Sequence, residues 1–454
     1  MRIPERAPSL TESIAAMTAS GSAERLTSLM PFIAATTHAG RYLHWADMRH
    51  RVPPSGLSRH EWWLATLLGR ESQFQALPLA AKDGRPFRFA LPGPVMIDLH
   101  HIDRDAAGRI QAADGTPSAS DPQRYLLSSF FEEAITSSQL EGASTTRREA
   151  AAMLRSGRKP RDKSEKMIFN NYRAMESVRA LKGESLTPAR VLDLHRMLTE
   201  GTLDDPADAG RLRQSDDVHV VDGRDNSIIH EPPPCSELPR RLAELCDFAN
   251  AGENASPFVH PVVRAILLHF MIGYDHPFVD GNGRVARALF YWAMARGGYW
   301  MMEYASISHI LRKAPARYMR AYLYSETDNN DTTYFLLHQL ATIRRAIAAL
   351  HEYLDQKTRE RRETEQLMAS SPNLRTRFNH RQVTLLNHAL RTTGEPYRID
   401  VHRNSQRVSY QTARNDLLSL EEMGLLERDK QGNAYVFFAP GDLRDRLAAI
   451  AKTP

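Results

Sequence analysis

The sequence predicts a mostly α-helical protein with one β-hairpin set among its helices and a separate unit of helices and strands at the C-terminal end. Three observations point there. From Tyr125 onward, apolar residues recur at helical spacing in one segment after another. Two short β-branched runs, 218–221 and 227–230, flank the turn Asp222-Gly223-Arg224-Asp225-Asn226, which is hairpin chemistry. After residue 381 the order becomes three short helices and then two strands.

Taken in order, residues 1 to about 40 read as helical, rich in Ala, Ser and Thr. Residues 42–104 are less regular. They hold a helix-like stretch at 58–70 and Pro/Gly-punctuated stretches at 83–89 and 91–94, and are expected to form a small packing region. The polar segment 106–120 reads as an exposed loop, and 131–154 has mixed helical character. In 164–181, Met167, Ile168, Tyr172, Met175 and Val178 lie at helical spacing, and 187–203 follows with Val191, Leu192, Leu194, Met197 and Leu198. Segments 238–249, 261–274, 284–296 and 314–325 continue the pattern, and Glu231-Pro232-Pro233-Pro234 stops the hairpin before them. Residues 338–365 read as one long helix, highly charged at 356–363, with a solvated face and the stiffness of a connector.

In the C-terminal unit, 381–391, 397–404 and 409–420 read as helices, with Ser409 as an N-cap and Leu417, Leu420 and Leu425 as a buried stripe. Gly424 ends the third helix, and 426–428 and 434–438 read as strands. The chain therefore divides into an N-terminal region 1–105, a segment 125–163, a helical core 164–355, a charged linker helix 356–380 and a terminal unit 381–454.

Composition sets limits. The 454 residues are 42% hydrophobic and 25% charged, ordinary for a globular chain with real cores, and the net charge of +5 permits an acidic partner without demanding one. Cys235 and Cys246 are the only cysteines, too few for a disulfide framework, and no Cys/His spacing suggests zinc. The most apolar stretch, 265–272, is too short to span a bilayer. No early apolar run suits a signal peptide, so a cytoplasmic protein without a membrane partner is expected.

The chemistry concentrates in His276-Pro277-Phe278-Val279-Asp280-Gly281-Asn282-Gly283-Arg284-Val285-Ala286-Arg287. Gly281, Asn282 and Gly283 let the backbone approach an anion. The apolar run after them makes this the start of a helix, where free N–H groups and the dipole favour negative charge. Arg284 and Arg287, three apart, project from neighbouring points and suit phosphate oxygens. Asp280 is placed to hold Mg²⁺ against the same phosphates, and His276 titrates in the range of a general base. Singly, each has a bland reading: a structural histidine, a turn, a solvated pair of arginines. In this order they suit a nucleotide polyphosphate.

This string resembles, in full, the signature of Fic domains, His-x-Phe-x-Asp/Glu-Gly-Asn-Gly-Arg-x-x-Arg. The resemblance implies a Fic-type helical bundle that transfers AMP from ATP to a hydroxyl of a target protein. His276 would be the base, Asp280 the Mg²⁺ ligand, and Gly281 to Gly283 with Arg284 would surround the α- and β-phosphates. Arg287 would sit near the γ-phosphate, with Phe278 in the core. A relative that transfers phosphate carries Lys in place of Gly283, so Gly283 favours AMP transfer. The resemblance further implies ATP and Mg²⁺ as cofactors, protein targets bearing Ser, Thr or Tyr hydroxyls, self-modification and a homodimer.

Ser137 and Glu141 lie four apart, on one face of a helix. With Gly142 they resemble the family's inhibitory motif, Ser/Thr-x-x-x-Glu-Gly/Asn. That implies that Glu141 pairs with Arg287 and crowds the γ-phosphate. The hairpin resembles the flap that holds a target's backbone by strand pairing, with Ser227, Ile228, Ile229 and His230 on its second strand. Tyr318 and Tyr322 fall where the family often places an aromatic residue near the adenine; packing in the core is the plain alternative.

The terminal unit resembles a winged helix-turn-helix. If it binds double-stranded DNA, Tyr410, Gln411, Arg414 and Asn415 face the major groove and Arg403 and Arg407 suit phosphates. Asp416, Glu421, Glu422 and Glu427 dilute the positive field, which also suits a protein-contact unit. The expected function is AMP transfer held down by Glu141. The alternatives are a nucleotide-sensing DNA-binding regulator, or removal of AMP at the same site.

Overall fold

The computed structural model describes residues 2–19, 25–107, 122–370, 377–391, 395–431 and 434–452. It divides into two compact units, Met1–Leu350 and His351–Pro454. The expected loop at 106–120 lies almost wholly outside the described residues.

The first unit begins with α1 (Leu10–Ala19) and α2 (Arg59–Glu71). Ser58 caps α2 reciprocally: its hydroxyl accepts from the Glu61 amide, and the Glu61 carboxylate accepts from the Ser58 amide. Where irregular chain was expected, β1 (Gln75–Ala80) and β2 (Pro86–Phe89) form an antiparallel pair, followed by α3 (Gly93–Ala106). This N-terminal region packs into the helical core. Arg70, fully buried, donates to the carbonyls of Ala35 and Leu43 and to the Tyr334 hydroxyl, with its guanidinium 3.6 Å from the centre of the Tyr42 ring.

The core helices follow: α4 (Pro122–Leu140), α5 (Arg147–Ser156), α6 (Lys163–Ala180) and α7 (Pro188–Thr199). After them come the hairpin β3 (Val220–Val221) and β4 (Ile228–His230), then α8 (Leu238–Asn250), α9 (Pro261–Asp275), α10 (Asn282–Arg296), α11 (Ile307–Lys313), α12 (Pro315–Thr327) and α13 (Thr333–Ser370), the last of which belongs to the second unit from His351 onward. The stretch 131–154 is two helices, because Gly142 takes φ 93 and breaks the run after α4.

At the centre lies α9. Pro261 begins it, where a missing N–H costs nothing, and all but two of its residues are buried. The N-terminal region buttresses its far end. Phe87 meets the rings of Phe270 and Tyr274 edge-on, and Arg241 of α8 joins the Asp275 carboxylate to the Ala80 carbonyl.

The second unit holds α14 (His380–Arg391), α15 (Ile399–Gln406), α16 (Tyr410–Glu422), β5 (Glu427–Gln431), β6 (Ala434–Phe438) and a further helix, α17 (Leu443–Lys452), that the sequence reading did not include. Leu386, Leu417, Leu420, Leu425, Phe437 and Leu447 form its core. Tyr397 pairs with Phe437 as a third edge, each donating its amide to the other's carbonyl.

Candidate active site

The residue after α9 is His276, which adopts left-handed backbone at φ 44 and ψ 56. For a residue with a Cβ this conformation costs about 1–2 kcal/mol, so the surroundings must impose it. They do. Phe278, fully buried, stacks on the His195 ring at 3.8 Å and 4°. Asn282 grips the same turn: its side-chain oxygen accepts from the Phe278 amide at 2.9 Å and its nitrogen donates to the Phe278 carbonyl at 2.7 Å. Phe278 lies in the core, where it was expected, while the Asn282 side chain is occupied by the loop's own backbone.

Nδ1 of His276 lies 3.1 Å from the Gly273 carbonyl. A carbonyl only accepts, so Nδ1 carries the proton and Nε2 is left as a lone pair, the tautomer a general base requires. Burial holds the imidazole below its ordinary pKa, which keeps it neutral and basic near pH 7.

The glycine turn follows directly. Gly281 takes φ 89, and a Cβ there would meet the Thr199 methyl at 2.8 Å, so both conformation and space demand glycine. Arg284 and Arg287 are 0% and 1% exposed, the reverse of solvated helix arginines. Arg284 donates to the Leu198 carbonyl at 3.0 Å and to Asp280 at 3.3 Å, yet its Nε is buried with no protein partner. A buried guanidinium with an unused donor fits an anionic ligand. Asp280 is half exposed at its side chain, and one carboxylate oxygen accepts from the Gly281 amide. Among the described residues there is no group of three or more His, Cys, Asp or Glu able to hold a metal by themselves. A single accessible carboxylate fits Mg²⁺ that completes its shell with phosphate and water oxygens.

Ser137 and Glu141 converge on Arg287. The Ser137 hydroxyl accepts from Nε at 2.8 Å, its carbonyl accepts from Nη2 at 3.1 Å, and the Glu141 carboxylate accepts from Nη2 at 2.9 Å. Ser137 ends within α4, whereas Glu141 sits just beyond it, presented by the turn that Gly142 makes. The helix is held from behind by buried Glu133, which accepts from the hydroxyls of Tyr291, Ser306 and Ser308.

On the hairpin, Ser227 and Ile228 are exposed and Ile229 is buried. His230 is also buried, and its ring bridges the Tyr274 carbonyl at 2.7 Å and Glu326 at 2.8 Å. It anchors the strand to α9 and α12 rather than lining an open edge. Tyr318 meets His269 at 2.7 Å through its hydroxyl, and Tyr322 stacks on Phe270 within the core. Val221, Ile228 and Val279 stand 45%, 45% and 48% exposed, leaving apolar side chains on both the hairpin and the loop.

Two residues that the sequence did not single out join the site. Arg213 contacts the backbone of both His276 and Pro277. His195 accepts from the Gly210 amide through Nδ1 and donates through Nε2 to the Asp280 carbonyl. Burial pulls its pKa down to about 4, so it is neutral, as the stacking and this tautomer require.

In the second unit, Tyr410, Gln411, Arg414 and Asn415 are all exposed on α16. Asp416, expected to weaken the positive field, is instead buried and paired with Arg381 at 2.7 Å and His402 at 3.2 Å.

A curated protein adenylyltransferase Fic from Nematostella vectensis is 27% identical over 217 residues, which are 46% of this chain and 48% of the relative. Another from Drosophila willistoni is 32% identical over 114 residues, 25% of this chain and 20% of the relative. The chain thus spans less than half the length of these curated relatives. A crystal structure of a Fic family protein from Desulfovibrio desulfuricans G20 superposes with a TM-score of 0.50 at 19% identity, covering 77% of this chain and 96% of that one, so the two share a fold. The stretch that contains the hairpin, the histidine loop and the glycine turn, residues 185–294, is the stretch that matches the Fic/DOC family.

Proposed function

We propose that the protein transfers AMP from ATP to a hydroxyl group of a protein target, and that Glu141 restrains the reaction. The arrangement of His276 carries this reading: Nδ1 is committed to Gly273, and Nε2 is a lone pair on a loop that runs straight into an anion-binding helix start. The target hydroxyl oxygen attacks the α-phosphorus while its proton passes to Nε2. The bond from the α-phosphorus to the bridging oxygen breaks, and pyrophosphate leaves. Arg284 and the amides at the start of α10 bind the α- and β-phosphates, and Arg287 binds the γ-phosphate once Glu141 has left it. Mg²⁺ at Asp280, when bound, neutralises phosphate charge. The exposed edge of the hairpin holds the target's backbone, so the target is chosen with little side-chain reading. Incubation of the Glu141→Gly variant with labelled ATP and lysate, then mass spectrometry, tests the reading; absence of any adenylylated protein, itself included, sinks it.

A second role for the terminal unit has its own support. Tyr410, Gln411, Arg414 and Asn415 share one exposed helix face, and the acid nearest them is neutralised internally by Arg381. That face suits the major groove of duplex DNA, with exposed Arg403 and Arg407 on phosphates. Titration of the full chain against duplex DNA at several salt concentrations tests it.

A further inference from the structure

We infer that Arg213 is a positioning residue that makes the seating of the 220–230 hairpin and the orientation of His276 a single mechanical event. Arg213 is 3% exposed, and its guanidinium reaches both feet of the hairpin and the catalytic loop. On the incoming foot, Nη1 donates to the Ser215 carbonyl and to the Asp216 carboxylate, each at 2.9 Å. On the outgoing foot, Nη2 donates to the Pro233 carbonyl. On the loop, Nε donates to the His276 carbonyl at 3.0 Å, and the Arg213 backbone amide donates to the Pro277 carbonyl at 2.9 Å.

The guanidinium is a rigid plane whose donors point in fixed directions. It cannot follow one foot of the hairpin without dragging the carbonyl of His276. That carbonyl belongs to a residue in the narrow left-handed region, where a small rotation has few steric alternatives and re-aims the ring. Three residues upstream, the Gly210 amide holds His195, which grips Phe278 and Asp280 from the other side of the turn. The segment 210–213 therefore braces both ends of the loop. A target strand that settles on the hairpin tightens the mount of the base that will deprotonate it. The catalytic consequence rests on the adenylyltransferase reading; the mechanical coupling does not.

The test compares Arg213→Gln and Arg213→Lys in the full-length Glu141→Gly chain, by hydrogen exchange, ATP binding and labelled-AMP transfer. In Arg213→Gln, exchange is expected to rise about tenfold or more in peptides covering both 218–232 and 275–281. Transfer should fall about a hundredfold while the Kd for ATP stays within about threefold. Arg213→Lys, which keeps the charge but not the fork, should fall between. Loosening of the hairpin alone, or a loss of ATP affinity that matches the loss of rate, overturns the inference. Should Arg213→Gln not fold, Asp216→Ala removes an exposed carboxylate that accepts from Arg213 and from the Cys235 amide beyond the outgoing foot, and leaves the Arg213 bonds to the loop in place; it supports the coupling if both peptides loosen and refutes it if only the hairpin does. If the Glu141→Gly parent transfers no label, the proposed reaction fails, and the exchange comparison still decides the coupling.

Discussion

Gly283 faces the carboxylate of Glu141 so closely that a methyl group on its Cα would sit 2.1 Å from Oε1. The absence of a side chain at 283 therefore serves two occupants of one place, the phosphates expected in the cradle and the carboxylate that holds Arg287. Position 283 lies in the first turn of α10, where alanine is otherwise favourable by about 1 kcal/mol.

A double-mutant cycle exposes this contact. Gly283→Ala should cost about 0.5–3 kcal/mol more in the wild-type chain than in the Glu141→Gly background. Urea denaturation of the four proteins measures it, and equal costs in both backgrounds refute the contact.

Removal of the carboxylate should also release activity. Glu141→Gly is expected to raise AMP incorporation by about tenfold or more, equivalent to about 1.4 kcal/mol or more of barrier. Glu141→Gln, which keeps the size but weakens the bond to Arg287, should fall between. Scintillation counting with labelled ATP reads both; no change in a folded Glu141→Gly protein ends the restraining role.

His276→Ala should lower transfer by about 10²–10⁴-fold, the range of a lost general base. In the Glu141→Gly protein the rate should climb with pH as the imidazole loses its proton, with a midpoint below the ordinary histidine value of 6.5, because burial lowers its pKa. A pH–rate profile whose ascending limb has its midpoint above that ordinary value contradicts this assignment.

Acid should loosen the loop through His195. Its folded pKa, about 4, lies below the ordinary value of 6.5 because the ring is buried. Between those values the unfolded chain binds the proton and the folded one does not. The stability contributed by the neutral ring is complete above 6.5 and is lost as pH falls towards 4. On moving from about pH 7 to about pH 5, the wild type should therefore lose about 2 kcal/mol more than His195→Phe, which stacks but cannot titrate. Equal losses in urea titrations at the two pH values exclude this role.

On the terminal unit, Arg414→Ala should weaken duplex binding by about 1–3 kcal/mol, most for the preferred sequence. Arg403→Ala should weaken binding to all sequences alike and lower the salt slope by about one. Fluorescence anisotropy on the full chain separates the two, and a salt-independent affinity excludes the DNA reading.

Much of this was legible in the chain because the signals are local. The core helices follow from apolar spacing, and the helix start at Gly281–Gly283 follows from the residues themselves. The pair β1 and β2 was not legible: Pro78 and Pro86 interrupt any alternation, and Phe87 gains its place by packing on Phe270 and Tyr274, far along the chain. The helix break at Glu141 depends on one glycine that could equally have been read as part of a longer run. Arg213 and His195 were illegible for a different reason. Their partners are mainly backbone carbonyls and amides, which every residue has, and the acceptor that ties Arg213 to the loop, the His276 carbonyl, lies 63 residues away. Side-chain spacing carries no trace of such a pairing.

Because Ser137 and Glu141 reach Arg287 from a helix riveted to the same polypeptide by Glu133, their hold does not weaken when the protein is diluted. If Glu141 restrains transfer as proposed, a tethered carboxylate competes at a constant effective concentration, however scarce the molecule becomes. On that reading, an agent that enters the cradle, or one that displaces Glu133, changes the odds.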